Sequence, residues 1–529
     1  MKKHFLSALL VFVVLASKSQ TPTWSEDIAS IVYANCTKCH HDGGLAPFSL
    51  MGYDDAVLFA NNMSSSVSSG KMPPWPPDRN YQHYINERYL TNTEIIKINA
   101  WVSGGTPQGN PANAPAMPVY TNGSALGTVN LTGRIPSFTV PNINYDLYQC
   151  FVVPTGLTQD VFATGIEIIP GDPSIVHHVL VFEDTTGQGA VLDAATPEPG
   201  YTNFGGPGFN ASMVSGWVPG TMPKIYPTGM GVKLHANSSL ILQIHYPNGS
   251  AGRVDSTRIN IRTSTGNLRN VFIQPILNHG TSLVNGPLSI PPNSTRVFTE
   301  AYTLPTNYPI PGISLVDVAP HAHLICRNWL VFAVQPSGDT VPLIKINDWD
   351  FHWQGFYAFR NLLKFNLGTR VYAKALYDNT LNNPHNPSNP PRQVNVGEST
   401  TDEMMLVYFS YLIYQNGDEN IVLDSSTINV PTDLKEPISD NGIVSTVQLY
   451  DAYPNPSNGA TTLSFYSPAN HPVTLQITNL LGEKVDEMHI KAESGFNKFE
   501  YSNQRLQAGT YFYTISCNGI NRSKQLVIE

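Results

Sequence analysis

Over residues 120–430, short runs of β-branched and aromatic residues alternate with turn-forming Gly, Pro and Asn. This texture restricts the fold more than any other feature of the chain. Val179-Leu180-Val181-Phe182 and the segments 240–245 and 406–414 are examples. Runs of this length, bounded by turn residues, predict strands of antiparallel sandwiches. At roughly 100–200 residues per domain, the stretch holds two sandwiches side by side. Composition agrees, with only 13% charged residues against 42 Pro and 40 Gly. That balance suits loop-rich extracellular β domains better than a helical enzyme. The net charge is −9, and no basic run or cluster of Arg and Lys with aromatics occurs. Nucleic-acid binding is therefore not expected.

The flanking regions differ. Met1-Lys2-Lys3-His4 precedes an apolar run over 5–16. A charged start and an apolar stretch too short to span a bilayer predict an export signal over 1–20. No later segment is apolar enough to be transmembrane. Helical patterns follow at 25–34, 53–68 and 93–102, the last opened by a Thr-Asn start signal and closed by Gly104-Gly105. Residues 106–118, rich in Pro, Ala, Asn and Gly, read as a linker, and the Asn- and Pro-rich 377–398 as a long surface loop. From about residue 444 strands resume as a small separate sandwich. Of five cysteines, Cys36 and Cys39 are neighbours, while Cys150, Cys326 and Cys517 lie far apart. Export permits a disulfide bond among the three.

Cys36-Thr37-Lys38-Cys39-His40 is a C-x-x-C-H motif. Two thiols at this spacing can bond both vinyl groups of a heme, and the next His supplies an axial imidazole. A half zinc site would need a second ligand pair nearby, and none follows. For the sixth ligand, Met72 stands in Gly70-Lys71-Met72-Pro73-Pro74-Trp75, where consecutive prolines stiffen the loop. Met51 and Met63 compete, although Met63 on a helix is better explained by core packing. The region resembles small cytochrome c domains, in particular those fused to bacterial copper monooxygenases, and the resemblance favours Met72.

In the β region, His177-His178, His245 and His321-Ala322-His323 stand out. His321 and His323, two apart, share a face on a strand, whereas adjacent His177 and His178 need a bulge or twist to converge. A thioether added to imidazoles suits copper. Singly, each of these histidines is more often structural. Their order, with Gln243-Ile244-His245-Tyr246 between the two pairs and Asp402-Glu403-Met404 after them, resembles the core of the copper type II ascorbate-dependent monooxygenases over 135–430. The resemblance implies an electron-storing copper on His177, His178 and His245. It implies an oxygen-activating copper on His321, His323 and Met404. Gly216-Trp217-Val218-Pro219-Gly220 and residues 350–354 match further, with His352 where the bacterial branch usually has Asn. Peptide-amidating members carry an Arg and an Asn where this chain has Ala319 and Leu406, which argues against a peptide carboxylate as substrate. Tyr408 matches a substrate-pocket tyrosine, though a half-buried strand aromatic explains it equally.

Tyr453-Pro454-Asn455-Pro456, Gly482-Glu483 and Gly509-Thr510-Tyr511-Phe512-Tyr513 resemble the sorting domain of type IX secretion substrates. Members usually end in a basic residue, and this chain ends in Glu529. A carbohydrate-binding sandwich would want clustered exposed Trp, which this region lacks.

The expectation is a multidomain, mainly β chain. It comprises a signal (1–20), a small α-helical cytochrome c domain (21–107), a linker (108–133), two tandem antiparallel, jelly-roll-like copper sandwiches (134–282 and 283–432) and a small sorting β-sandwich (446–529). The implied function is exported hydroxylation of a C–H bond in a small organic or peptide substrate with O2. It uses two copper ions, a covalently attached heme c, an ascorbate-like or other external electron donor, and the type IX secretion machinery. The alternative is a non-catalytic secreted electron-transfer or copper-holding protein.

Overall fold

The computed structural model describes residues 21–423 apart from 45 and 121–123, and most of 448–528. The expected signal segment lies outside the described residues. The chain divides into two compact units, the first holding the helices and two sandwiches, the second the C-terminal strands.

The helical region opens with a π-helical turn, Trp24–Ile28, capped by the Thr23 hydroxyl, and runs into α1 (Ala29–Asn35). The pattern over 53–68 forms two helices, α2 (Tyr53–Leu58) and α3 (Ala60–Ser68), broken at Phe59, whose ring stacks on Phe48 at 3.9 Å. In α4 (Asn92–Ser103), Thr91 and Glu94 form a reciprocal capping box that satisfies two orphan amides. Trp24, Ile28, Val32, Met63, Ile98 and Trp101 meet in the core, so Met63 does pack inward.

The first sandwich is built from β1 (Leu131–Arg134), β2 (Leu147–Pro154), β3 (Val161–Ile169), β4 (His178–Asp184), β5 (Ser212–Trp217), β6 (Met230–Leu234), β7 (Ser239–Tyr246) and β8 (Arg258–Ser264). One sheet runs β1-β8-β3-β6 and the other β2-β7-β4-β5, each with short strands at its margins. The second comprises β9 (Phe272–Asn278), β10 (Ser294–Thr303), β11 (Ile313–His321), β12 (Cys326–Val334), β13 (Thr340–Ile346), β14 (Tyr357–Phe365), β15 (Arg370–Asn379) and β16 (Leu406–Ile413). Its sheets run β9-β16-β11-β14 and β10-β15-β12-β13. Strand alternation is clean in β15, where every second residue is buried, so that face drives the packing. The two sandwiches are not independent. Val316, Leu362 and Leu412 of the second join the core cluster of the first, and their burial fixes the facing sheets against each other.

The second unit packs a three-stranded sheet and a four-stranded sheet around Phe465, Leu475, Ile477, Tyr513 and Ile515. Among the described residues, no helix is long and apolar enough to cross a membrane. The expected disulfide is absent: all five cysteines are free. Cys150, Cys326 and Cys517 are each buried in a different hydrophobic cluster, so no two of them meet.

Candidate metal centre

The first histidine cluster is assembled by strand register. β7 lies between β2 and β4, which sets His245 opposite Tyr148 on one side and His178 on the other. Tyr148 stacks flat on His245 at 4.3 Å. His177 stands just before β4, where its amide donates to the His245 carbonyl at 2.9 Å. Leaving the strand at this point lets two adjacent histidines converge without a bulge between them. One ring nitrogen from each of His177, His178 and His245 lies within 4.8 Å of the others. Nε2 of His177 and both ring nitrogens of His245 are buried without a hydrogen-bond partner. Asp146 Oδ2 stands 3.6 Å from His245 Nε2. Buried polar atoms ordinarily find partners, so this group of unpaired nitrogens fits a metal ion.

The second cluster lies at the end of β11. His321 is its last residue, and His323 follows beyond the strand. Pairing with β16 sets His321 opposite Leu406, so Met404 comes off the start of β16 beside His323. His321 Nδ1 contacts Gln354 Oε1 at 2.7 Å, and His323 Nδ1 contacts the Asp402 carbonyl at 3.1 Å. A carbonyl oxygen can only accept, so both Nδ1 atoms carry the proton and each Nε2 keeps its lone pair. The Glu403 carboxylate accepts from the amides of His323, Ile325 and Met404 at 2.9, 2.8 and 3.2 Å. One buried side chain thus fastens the H-x-H segment to the methionine. Burial pushes its carboxyl up to about 8 despite those backbone donors.

Burial, reinforced by the neighbouring imidazoles, holds His177 and His178 far below the usual histidine range. Burial likewise takes His321 down to about 4, against the Gln354 hydrogen bond, and His323 down to about 3. All four are neutral near pH 7, the form that binds metal.

The two clusters adjoin. Ring centroids of His178 and His321 are 6.5 Å apart, and those of His321 and His323 are 5.3 Å apart. Phe351 stacks on His177 at 4.5 Å and meets His323 edge-on at 5.7 Å. His178, His321, His323 and Met404 line one cleft of about 1130 Å³. Tyr408, Ala319, Leu406, Phe356 and Trp217 line it too, and so do the charged Glu183, Lys233 and Glu398, so its wall is mixed. Burial pushes the Tyr408 phenol up to about 12, so it is a neutral hydroxyl.

In the helical region, Cys36 follows α1, and the amides of Cys39 and His40 both donate to the Cys36 carbonyl, at 3.1 and 3.0 Å. This turn brings the motif together. His40 Nδ1 bonds to the Phe48 carbonyl at 3.2 Å, which again leaves Nε2 as the free lone pair. Burial raises the Cys36 thiol to about 12 and lowers His40. Two free thiols and a neutral, oriented imidazole fit a covalently attached heme. Met72 is partly buried, its amide donating to the Ser66 carbonyl at 3.2 Å.

Tyr148, Phe351 and Glu403 have no predicted role in the sequence reading. Tyr148 carries no local signal, because it reaches the histidines only through strand pairing, whereas Phe351 stands inside the matching segment 350–354. Glu403 did stand inside a recognised motif, beside the methionine.

The fold and site define a protein with paired β-sandwiches and a histidine-rich cleft between them. Comparison with known families takes this one step further. Residues 275–430 match the copper type II ascorbate-dependent monooxygenase C-terminal domain, and residues 451–529 match the secretion system C-terminal sorting domain. The second sandwich marks the chain as copper monooxygenase-like, and the C-terminal unit marks it for secretion or the cell surface. No curated protein matches the chain. Solved structures of Ruminococcus gnavus β-glucuronidase align at 12% identity and a TM-score of 0.13, over 44% of this chain and 35% of theirs. The apo form of that enzyme aligns over 45% and 36%, at the same identity and TM-score. The chain thus spans about a third of those structures, and likeness of that size carries nothing about fold or function.

Proposed function

We propose that this chain is a secreted copper-dependent monooxygenase that hydroxylates a C–H bond of a small substrate with O2, without anchoring a peptide carboxylate. Its electrons come from the fused cytochrome c or from an ascorbate-like reductant. The observation that carries the reading is the 6.5 Å approach of His178 to His321 across a single cleft. When bound, copper would supply one-electron redox chemistry and O2 activation, and heme c would supply one-electron storage.

The protein's own residues do the rest. His177, His178 and His245 would hold the electron-storing copper, the first two through neutral, desolvated nitrogens. His321, His323 and Met404 would hold the oxygen-activating one, oriented by Gln354, the Asp402 carbonyl and Glu403. The thioether, a soft ligand, favours the cuprous state. Ala319, Leu406, Phe356 and the Tyr408 hydroxyl position the substrate. With Ala319 on the strand that ends at His321 and Leu406 paired opposite His321, these two positions offer no charged or amide group to hold a peptide carboxylate.

Replacing Met404 with Ile removes the sulfur and keeps an apolar side chain of similar bulk. The variant is expected to lose hydroxylation while the triad stays loaded with copper. Metal analysis with reductant-dependent O2 uptake checks this. Tight copper in the wild type with no such uptake would instead make the chain a copper-holding protein.

A further inference from the structure

The loop that carries Met72 does not end in the helical region. Residues 73–89 form a strap laid over the second sandwich. Pro77 bridges to Ile346 on β13, and Tyr84 to Phe359 on β14. The Asp78 amide donates to the Lys345 carbonyl at 2.7 Å, and the Ile85 amide to the Ala358 carbonyl at 2.9 Å. The Tyr84 hydroxyl donates to the Leu343 carbonyl at 2.6 Å, and its ring is 1% exposed. These two points of backbone bonding, with the buried Tyr84 between them and the sheet, tie the helical region's strap to the sandwich.

Within the strap, Trp75, three residues after Met72, packs edge-on to Tyr357 at 5.5 Å, and its buried indole N–H has no acceptor. The Arg88 guanidinium lies 5.8 Å from the Trp75 ring and donates to the Gly220 carbonyl at 3.1 Å. Gly220 has φ +83, and a Cβ there would meet the Trp353 indole at 3.1 Å and Arg88 Nη1 at 3.2 Å. The backbone therefore passes in contact with both side chains, and only glycine fits without strain. The Tyr357 hydroxyl also reaches the Trp353 carbonyl at 3.5 Å. Two lines of contact from Trp75 thus converge on Trp353. From that turn, Gln354 bonds to His321 and Phe351 stacks on His177.

We propose that this strap and the turn 350–354 are the through-protein path for electrons from the cytochrome region to both histidine clusters, with Trp75 and Arg88 as its positioning residues. The inference rests on the reading of Cys36, Cys39 and His40 as a heme site. Each transfer moves one electron: ferrous heme becomes ferric and one cupric ion becomes cuprous, with no bond made and no proton moved. An external one-electron donor of the ascorbate class restores the heme. Contact favours transfer because electronic coupling falls steeply across gaps.

Two measurements on the full chain test the proposal. In protein free of heme and copper, hydrogen exchange is expected to show the Asp78 and Ile85 amides protected like those of β14. Exchange at free-peptide rates would overturn the docked strap. In protein loaded with ferrous heme and cupric copper under argon, heme oxidation is followed optically and loss of the cupric signal by EPR. Trp75→Leu, and independently Arg88→Gln, which leaves the strap's backbone bonds in place, are each expected to slow both signals together by about tenfold or more. Their heme and copper contents should be unchanged. Wild-type rates in both variants at full loading overturn the route while leaving the cytochrome intact. A chain that takes up no covalent heme under maturation conditions overturns the cytochrome reading and the route with it.

Discussion

At the scale of single residues, the site is a study in desolvation. Burial keeps His177, His178, His321 and His323 neutral, and the unpaired nitrogens of His177 and His245 would be costly without a metal, since unsatisfied buried polar groups cost about 1–3 kcal/mol each. A second buried group stands away from the site. Glu300 on β10 has neither carboxylate oxygen hydrogen-bonded, and burial pushes its carboxyl up to about 9. An acid whose pKa rises on folding keeps its proton in the folded state. The cost is nil below the ordinary value of 4.5 and grows as pH rises toward the folded value. Stability of the wild type relative to Glu300→Gln is therefore expected to fall by about 1.4 kcal/mol per pH unit between about pH 6 and about pH 8. Urea unfolding of both proteins at the two pH values measures this, and a pH-independent difference would refute it. Nothing in the sequence around Glu300 marks it, because its partnerless burial is a property of the sheet sandwich.

At the scale of elements, the second cluster depends on how β11 meets β16. The two-residue spacing of His321 and His323 was read as one face of a strand. The strand in fact ends at His321, and Glu403 holds the continuation in place. Glu403→Ala would leave three buried amides without their acceptor. At about 1 kcal/mol or more per lost bond, the cost is about 3 kcal/mol. Thermal unfolding of the metal-free chain should show it, and an unshifted midpoint would mean the clamp is dispensable. The D-E-M run was visible in the sequence as a source of the methionine. The carboxylate's work was not, because its partners His323 and Ile325 lie 80 and 78 residues earlier and meet it only through antiparallel pairing. His177 and His178 illustrate the same point. Adjacent residues on a regular strand point apart, and only the place where β4 begins decides that these two converge.

At the scale of the whole molecule, the spacing of the two clusters depends on how the sandwiches are joined. Lys224, on a short strand of the first, pairs with Asp317 on β11 at 2.6 Å, and Asp317 is fully buried. Lys224→Met would strand that carboxylate inside the interface, at a cost of about 3–5 kcal/mol. The double change Lys224→Met with Asp317→Leu should recover much of it. Denaturant midpoints of the three proteins decide the matter, and a harmless single variant would show that apolar packing alone sets the joint. Taken alone, the sequence determined the mainly β character, the separate tail and the identity of the histidines and methionine. Those follow from local periodicity and motif spacing, which need no knowledge of distant contacts. Only the tertiary structure decided that the clusters share a cleft, that Phe351 lies between them, and that the Met72 loop continues into a strap over β13 and β14. Each of these depends on strand order and sandwich packing, where residues 100 or more positions apart come into contact, and no local pattern encodes which pairs those are.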